Sequence, residues 1–244
     1  MTTRTAIFSD LHGNSAATGA TLAAIAAERP DAVYCLGDLV GYGARPNETI
    51  ALIRDRAIPT IMGNYDDGVG WDRDDRGCAY KDDDERERGH ASLLWTREVT
   101  TPRNKAYLRG LPPEIRFEAE GTRFRLVHGS PRRMNEYLFA DRNPRSLQRI
   151  AAMADAGVLV FGHTHQPWIK VIAGVLMVNE RSAGKPKDGD PRAAWALFAA
   201  EHGKPVAVEI RRVPYDVASM AAAIRAADGL SDRFARDIET GSRS

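Results

Sequence analysis

Short apolar runs alternate with helix-like segments in the first third of the chain. The apolar runs predict three strands, over Thr5–Phe8, Ala32–Leu36 and Ile58–Met62. The intervening segments predict two helices, over Ser15–Glu28 and Pro46–Arg56, and Pro30 lies just beyond the end of the first. Strand–helix–strand repetition of this kind predicts a parallel sheet with right-handed crossovers.

The pattern changes in the second half, where apolar runs follow one another through tight turns such as Ala173-Gly174 and His202-Gly203. It predicts strands over Glu114–Glu118, Arg123–Val127, Val158–Phe161, Trp168–Ile172, Val175–Val178, Ala193–Ala199 and Val206–Arg212. One helix is predicted near Pro144–Ala156. The two halves together predict an α/β fold with two mixed β-sheets.

Two segments stand apart from this rhythm. Residues 68–110 begin with a mixed-charge run, which is typical of a solvated loop or helix face. Ala91–Val99 and Pro102–Leu108 then have helical spacing, with Thr101 as the predicted N-cap of the second helix, so we expect a small helical cap insert. Within residues 214–244, Val217–Ala227 predicts an Ala-rich helix, and we expect the polar tail after it to fray.

Composition narrows the class of protein. The 244 residues are 43% hydrophobic and 27% charged, which fits one globular domain spanning residues 1–244. A net charge of +1 gives no reason to expect a nucleic-acid or anionic-membrane surface. No signal-peptide run precedes the first motif and no run is long enough to span a bilayer, so we expect a cytoplasmic protein. The oligomeric state stays open, a homo-oligomer included.

The two cysteines are too few for a disulfide framework. Cys35 lies in an apolar run and is predicted to be a buried free thiol, and the other is Cys78.

Four of the six histidines fall in short motifs just after predicted strands. The five motifs occupy Phe8–Asn14, Leu36–Asp38, Met62–Asp66, Val127–Ser130 and Phe161–His165. In open α/β sheets, loops at the carboxyl ends of strands line the ligand crevice, so we expect the motifs to converge. A single Asp-x-His or Gly-Asn is ordinary turn chemistry. Five such motifs at successive strand ends indicate a shared site.

The side chains in these motifs specify a metal chemistry. The candidate ligands are Asp10, His12, Asp38, Asn64, His128, His163 and His165. Carboxylates, imidazoles and a carboxamide without thiolate suit divalent transition metals, with Mn²⁺ expected first and Fe²⁺, Zn²⁺, Co²⁺ or Ni²⁺ as alternatives. Seven ligands exceed the need of one six-coordinate ion. We therefore predict two ions roughly 3.5–4 Å apart that share a bridging carboxylate.

The series D-x-H-G-N, G-D, G-N-x-D, H-G and G-H-T-H resembles the calcineurin-like metallophosphoesterase superfamily over residues 5 to 212. The run Gly37–Gly43, the pair Pro46-Asn47 and the segment Lys185–Arg192 resemble a bacterial, phosphodiesterase-like branch. The resemblance implies an αββα sandwich of two packed mixed sheets flanked by helices. It also implies that Asp10, His12 and His165 bind one metal, that Asn64, His128 and His163 bind the other, and that Asp38 bridges them. A bridging hydroxide would then attack the phosphorus in line.

Two positions depart from the superfamily pattern. The superfamily often has histidine after the Gly-Asn, whereas this chain has Tyr65, with Asp66 behind it. Tyrosine can donate a hydrogen bond, but its pKa near 10 makes it a poor general acid at neutral pH. Where relatives have Asn-Pro-Gly-Ser, this chain has Asn179-Glu180-Arg181-Ser182. Arg181 is expected either to contact a substrate phosphate or to belong to a solvated basic loop.

The predicted site thus contains five residues beyond the metal ligands. The expected catalytic residues are Asp38, Asn64, His128, Tyr65 and Asp66, and the expected substrate-binding residues are Asn14, Arg181 and His90. His90 is predicted to begin a helix of the insert, where it either reaches the pocket or stays exposed. His202 is predicted to lie at the surface, in a hairpin turn.

The predicted function is hydrolysis of a phosphate ester of a small molecule or nucleotide, with phosphodiesterase activity favoured. A phosphomonoesterase or protein phosphatase and a dinucleoside polyphosphate hydrolase are the alternatives. The arginines that grip phosphate in those families have no match here. A non-catalytic metal-binding scaffold, like the retromer subunit of this superfamily, is disfavoured because no candidate histidine ligand is missing. The sequence leaves the natural substrate and the native metal open.

Overall fold

The computed structural model describes residues 1–74 and 82–242. Its strands are β1 (Thr2–Phe8), β2 (Ala32–Cys35), β3 (Glu114–Ala119), β4 (Thr122–Val127), β5 (Val158–Phe161), β6 (Trp168–Ile172), β7 (Val175–Asn179), β8 (Ala193–Glu201) and β9 (Ala207–Val213). Its helices are α1 (Ser15–Glu28), α2 (Pro46–Arg54), α3 (Asn64–Gly70), α4 (Asp83–Val99), α5 (Pro102–Arg109), α6 (Pro144–Met153), α7 (Val217–Ala226) and α8 (Asp232–Thr240).

The strands form two mixed sheets, which confirms the predicted fold class. One sheet has the order β2-β1-β8-β9, with β1 and β2 parallel and the other pairs antiparallel. The other has the order β3-β4-β5-β7-β6, in which β4, β5 and β7 are parallel to one another. Its outer pairs, β3–β4 and β6–β7, are antiparallel hairpins. The parallel strands are central to the site because their carboxyl ends share one edge.

Apolar side chains hold the two sheets together. Ile7 and Phe198 of one sheet and Phe124 and Val160 of the other are almost wholly buried in one cluster. The Phe124 and Phe198 rings meet edge to face at 5.9 Å between centroids. A fully buried side chain of this size contributes roughly 1.5–3 kcal/mol. Helices cover the outer faces, so the layers run helix, sheet, sheet, helix.

The third predicted strand is wrong in extent. Over Ile58–Met62 only a single bridge forms, between Cys35 and Thr60. Pro59 has no N–H to donate, although its carbonyl accepts from Cys35 N at 3.0 Å. The chain then turns at Gly63 into α3, so Asn64 begins a helix instead of following a strand.

The polar C-terminal tail is also corrected, because it forms α8. Its apolar positions Phe234, Ala235 and Ile238 are buried against Met220 and Ile224 of α7. Ion pairs from Arg225 to Asp232 and Glu239 join the outer faces of the two helices. The helical spacing of those few apolar residues, with Ser231 as N-cap, outweighs the overall polarity of the segment.

Within residues 68–110 lie the end of α3 and the whole of α4 and α5, and Thr101 caps α5 as predicted by accepting from Asn104 N. Part of the mixed-charge run, and Cys78 with it, falls outside the described residues. Cys35 is a buried free thiol, as predicted. No helix in the described ranges is both long enough and apolar enough to cross a membrane.

Candidate metal centre

The predicted motifs meet at one edge of the molecule. Asp10 and His12 follow β1, Asp38 follows β2, His128 follows β4, and His163 follows β5. The ligand atoms of Asp10, His12 and His165 lie within 4.8 Å of one another. The ligand atoms of Asp38, His128 and His163 form a second group, also within 4.8 Å of one another. All six side chains are buried.

The backbone is strained where these side chains are presented. Five candidate ligands have left-handed φ angles between 48° and 65°, namely Asp10, His12, Asp38, His163 and His165. Such a conformation costs a non-glycine residue on the order of 1–3 kcal/mol. Hydrogen bonds between loops maintain it, from Asp10 N to Gly37 O and from His12 N to Asp38 O, both 2.9 Å. Directing these groups inward therefore lowers the stability of the fold.

Two glycines of the motifs are required by close approach. A Cβ on Gly63 would collide with the Asp38 carboxylate. A Cβ on Gly162 would collide with Ser9 Oγ and Asp10 Oδ2. The Gly-Asn and Gly-His-Thr-His motifs thus need glycine because a candidate ligand occupies the space of a side chain.

The first group, called here the first cluster, is Asp10, His12 and His165. His12 Nδ1 lies 3.1 Å from Val40 O, and His165 Nδ1 lies 2.6 Å from Lys185 O. A carbonyl only accepts, so each Nδ1 carries the proton and each Nε2 of the neutral ring carries a lone pair. The Nε2 atoms of His12 and His165 are only 3.1 Å apart, and Asp10 Oδ1 lies 3.3 Å from His165 Nε2. A cation among them would satisfy all three.

Burial keeps these imidazoles neutral. Desolvation, followed by the neighbouring His165, lowers the pKa of His12 to about 3. Desolvation, followed by the charge of Lys187, lowers the pKa of His165 to about 4. Both rings are therefore ready to act as ligands at neutral pH without first losing a proton.

The two oxygens of Asp10 have different surroundings. Oδ2 accepts from Ser9 Oγ and, at 3.1 Å, from His163 N. Oδ1 is buried and accepts no hydrogen bond from the described residues. Burial opposes ionisation, but the imidazoles around the carboxylate hold its pKa well below the ordinary range. One oxygen is thus positioned by the protein while the other is left for a cation.

The second cluster is Asp38, His128 and His163. His128 Nδ1 lies 2.8 Å from Leu36 O, and its Nε2 lies 3.4 Å from Asp38 Oδ2 and 3.2 Å from Asn64 Oδ1. Burial opposes the charged form of His128, but the Asp38 carboxylate outweighs it and raises the pKa to about 10. Desolvation, followed by the charge of His128, lowers the pKa of His163 to about 3, and His163 Nε2 is buried without a hydrogen-bond partner among the described residues.

Asp38 lies between the two clusters. Its Oδ2 is 3.4 Å from His128 Nε2 and 3.8 Å from His12 Nε2, so one oxygen faces both groups. Its Oδ1 accepts from Tyr65 N at 2.8 Å, which fixes the rotation of the carboxylate. This is the placement that a bridging ligand requires. Orphaned buried atoms and a donor set of oxygen and nitrogen without sulfur fit a pair of divalent transition metals.

Tyr65 and Asp66 lie behind the ligands. The Tyr65 ring is buried and packs edge to face against His12, at 5.4 Å between centroids. The Asp66 carboxylate accepts from Leu39 N at 2.9 Å and Gly63 N at 3.0 Å. Burial, followed by the charge of Asp38, raises the pKa of Asp66 to about 8. Both residues brace the loops of Asp38 and Asn64, and their catalytic roles stay predictions.

The three predicted substrate-binding residues lie outside the two clusters. Asn14 caps α1 through Ala17 N and donates to Gly184 O at 2.9 Å. Arg181 is fully buried and donates to Arg192 O and the Asp188 carboxylate, so the expectation of a solvated basic loop is wrong for this side chain. His90 is exposed in the middle of α4, which begins at Asp83, so it does not start the helix. His202 is exposed in the β8–β9 turn, as predicted.

Two contacts of the centre were not predicted. Lys185, whose carbonyl orients His165, is buried and pairs with Asp237 of α8 at 2.5 Å. The Tyr137 ring lies over His163 at 4.1 Å between centroids. Asp237 is 52 residues from Lys185 along the chain, and only the helical spacing of its apolar neighbours could have indicated that this segment packs against the site.

Comparisons with known proteins agree with this geometry. The family model described as the calcineurin-like phosphoesterase superfamily domain matches residues 4–203. The chain is 32% identical over 231 residues to the uncharacterized protein MJ0912 of Methanocaldococcus jannaschii, covering 87% of this chain and 88% of the relative. The structure resembles a metallophosphoesterase from Sphaerobacter thermophilus, with a TM-score of 0.77, 28% identity and coverage of 99% and 100% of the two chains.

A second solved structure, the hypothetical protein PH1004 from Pyrococcus horikoshii OT3, has the same fold. It superposes with a TM-score of 0.85 at 21% identity, covering 99% of this chain and 100% of that one. The family match spans most of the chain and includes every candidate metal ligand. The chain therefore belongs to the calcineurin-like phosphoesterase superfamily.

Proposed function

We propose that this protein hydrolyses phosphodiesters with two divalent metals, Mn²⁺ before Fe²⁺, Zn²⁺, Co²⁺ or Ni²⁺. Membership of the superfamily supports the coarser statement that it is a metal-dependent phosphoesterase. The proposal is carried by the position of Asp38 Oδ2, 3.4 Å from a ligand nitrogen of one cluster and 3.8 Å from a ligand nitrogen of the other. Asp10, His12 and His165 would hold one ion, Asn64, His128 and His163 the other, and Asp38 both.

Bound in this way, a pair of divalent ions supplies Lewis acidity and lowers the pKa of water enough for attack at neutral pH. The protein's share is orientation. Backbone carbonyls fix the rings of His12, His128 and His165, so that Nε2 faces the centre in each. Because the surrounding side chains are buried, the centre is shielded from bulk water, and electrostatic interactions there are stronger than at the surface.

The pairing of two cationic side chains near the centre, and the residue at position 65, support a diester over a monoester. A diester carries one negative charge, whereas a monoester dianion carries two and gains more from extra cationic side chains. Arg181 and Lys185 are already paired with Asp188 and Asp237. Tyr65 stands where many relatives have a histidine that assists the leaving group. A dianionic substrate would therefore lack two free cations to bind its charge and a histidine to assist its leaving group.

The test compares bis-p-nitrophenyl phosphate with p-nitrophenyl phosphate, using Mn²⁺-reconstituted protein. We expect the diester to have the larger kcat/KM, and Asp38→Asn to abolish the difference by abolishing turnover. Asp141→Asn, at an exposed position outside both clusters, is the matched control. Faster cleavage of the monoester with Mn²⁺, Zn²⁺ and Co²⁺ alike would replace the proposal with a phosphatase.

A further inference from the structure

The segment between β4 and α6 carries two aromatic rings that the proposed reaction does not use. The Tyr137 ring contacts the imidazole of His163, at 4.1 Å between centroids. The Phe139 ring is nearly parallel to that of Tyr137, with centroids 5.8 Å apart and planes 12° apart, and Phe139 is 36% exposed. Leu138, between them, is fully buried. The two rings, called here the aromatic shelf, thus form a stacked pair that extends from His163 of the second cluster and ends at the exposed ring of Phe139.

The aromatic shelf is held in place by its neighbours. Glu136 accepts from Ser130 Oγ at 2.5 Å and from the guanidinium of Arg142 at 2.8 Å. Arg142 also donates to Tyr137 O at 2.9 Å. Trp168 Nε1 donates to Leu138 O at 2.8 Å. A surface fixed in this way loses little conformational entropy when a flat ligand binds to it.

A polar cavity is lined by residues that directly precede the aromatic shelf in the sequence. It has a volume of about 420 Å³ and is lined by Arg132, Arg133, Asn135 and Glu136. Arg132 pairs with Glu136, which also pairs with Arg142. Arg133 is exposed, and we find no ion pair for it among residues 1–74 and 82–242. The cavity therefore offers one guanidinium whose charge is not neutralised.

We propose that the aromatic shelf stacks the base of a nucleotide phosphodiester, while Arg133 binds a further phosphate of the same substrate. Bases stack on aromatic side chains whatever their identity, and the Arg fork matches phosphate oxygens. The scissile phosphate would lie at the two clusters. His163, which belongs to the second cluster and contacts Tyr137, would lie between the scissile phosphate and the aromatic shelf. This inference deepens the proposed function and rests on it, since it names the substrate class.

The first experiment compares two esters with the same leaving group. Thymidine 5′-(p-nitrophenyl phosphate) contains a base, and methyl p-nitrophenyl phosphate does not. We expect the thymidine ester to have the larger kcat/KM with Mn²⁺. Phe139→Leu should lower the ratio of the two kcat/KM values about 5- to 10-fold, whereas Phe139→Tyr, which keeps the ring, should retain it. A ratio that is the same in all three proteins would overturn the stacking of the base on the aromatic shelf and leave the proposed function standing.

The second experiment adds a 3′-phosphate to the thymidine ester. We expect this phosphate to increase kcat/KM, and Arg133→Gln to remove about 10-fold of the increase. The matched control is Arg145→Gln, at an exposed arginine of α6. Equal losses in both arginine variants would show general electrostatics and contradict a site at Arg133.

A third measurement does not depend on turnover. Thymidine 3′,5′-bisphosphate is titrated into the protein with and without Mn²⁺, and the Kd is compared between wild type, Phe139→Leu and Arg133→Gln. We expect both variants to weaken binding about 5- to 10-fold. If neither ester is cleaved but the variants weaken binding, the proposed function fails and the nucleotide site stands. Unchanged Kd values in both variants would reject the site.

Discussion

The two halves of the metal centre differ in what covers them. On the side of the first cluster, the His12 ring contacts Tyr42 at 4.9 Å, and Tyr42 contacts Phe234 of α8 at 5.1 Å. These side chains leave a space of only about 10 Å³. On the side of the second cluster, the Tyr137 ring covers His163, and the preceding residue, Glu136, lines a cavity of about 420 Å³. The surroundings of the first cluster are therefore closely packed, whereas a much larger cavity lies in the segment that covers the second.

The halves also differ in charge. Burial holds the pKa of His12 at about 3 and that of His165 at about 4, so the first cluster is neutral apart from Asp10. The Asp38 carboxylate overcomes burial at His128 and raises its pKa to about 10. The first cluster can therefore take up a cation without releasing a proton, and the second cannot. Substitutions that act on one half, on the other or on both can separate these roles.

The largest effect is expected at the residue shared by both halves. Asp38→Asn removes the charge of the carboxylate that faces both clusters, so both ions should bind more weakly together. Activity should fall by more than the ~10–100-fold that changes around a ligand typically cause. Equilibrium dialysis with Mn²⁺ and diester kinetics measure the two effects. A variant that loses one ion while keeping the other at wild-type affinity would show that Asp38 is not shared.

The next effect separates the halves. His128→Ala should mainly empty the second cluster, and His165→Ala the first, because each imidazole Nε2 faces one group. Each variant is expected to retain close to one Mn²⁺ per chain after removal of free metal. Loss of both ions in either variant would mean that the two sites form only as a unit.

A smaller effect is expected from α8. Asp237→Asn leaves the buried Lys185 without its carboxylate and loosens the carbonyl that orients His165. The affinity of the first cluster should fall about 10-fold, within the range for groups that orient ligands. Asp228→Asn, at an exposed position in the turn between α7 and α8, is the control. Equal weakening of both clusters, or an equal effect in the control, would argue against this link.

The smallest effect concerns the stability of the second half in acid. Burial opposes ionisation of Glu136, but Arg132, Ser130 and Arg142 lower its pKa from 4.5 to about 2. A lowered pKa stabilises the folded state above pH 4.5, and this contribution disappears as the pH falls towards 2. Glu136→Gln should therefore cost about 1–2 kcal/mol at neutral pH and flatten the stability profile over that interval. Urea unfolding across the interval, with Glu201→Gln as control, measures it, and parallel profiles for wild type and Glu136→Gln would contradict the assignment.

The metal centre could be predicted from sequence because its signals are local. Each ligand lies in a short motif, and Gly63 and Gly162 leave room for the carboxylates of Asp38 and Asp10, which come from other motifs. Sheet pairing then brings the motifs together. The pairing of Asp237 with Lys185 and the contact of Tyr137 with His163 depend on how distant segments pack, which no motif encodes.

The errors in the predicted fold have the same origin. The apolar run over Ile58–Met62 has the composition of a strand, but the chain turns at Gly63 after one bridge. The polar segment after Gly229 has the composition of a tail, but α7 supplies an apolar face on which Phe234 and Ile238 pack. Composition describes a segment alone, whereas its structure also depends on the surface available to it.

In the proposed centre, two ions share Asp38. Electron paramagnetic resonance of the protein titrated with Mn²⁺ tests this sharing most directly, because two ions bridged by one carboxylate are close enough to couple magnetically. We predict uptake of two Mn²⁺ per chain and a coupled spectrum that Asp38→Asn eliminates. Saturation at one Mn²⁺, or two ions with only uncoupled signals, would contradict the account.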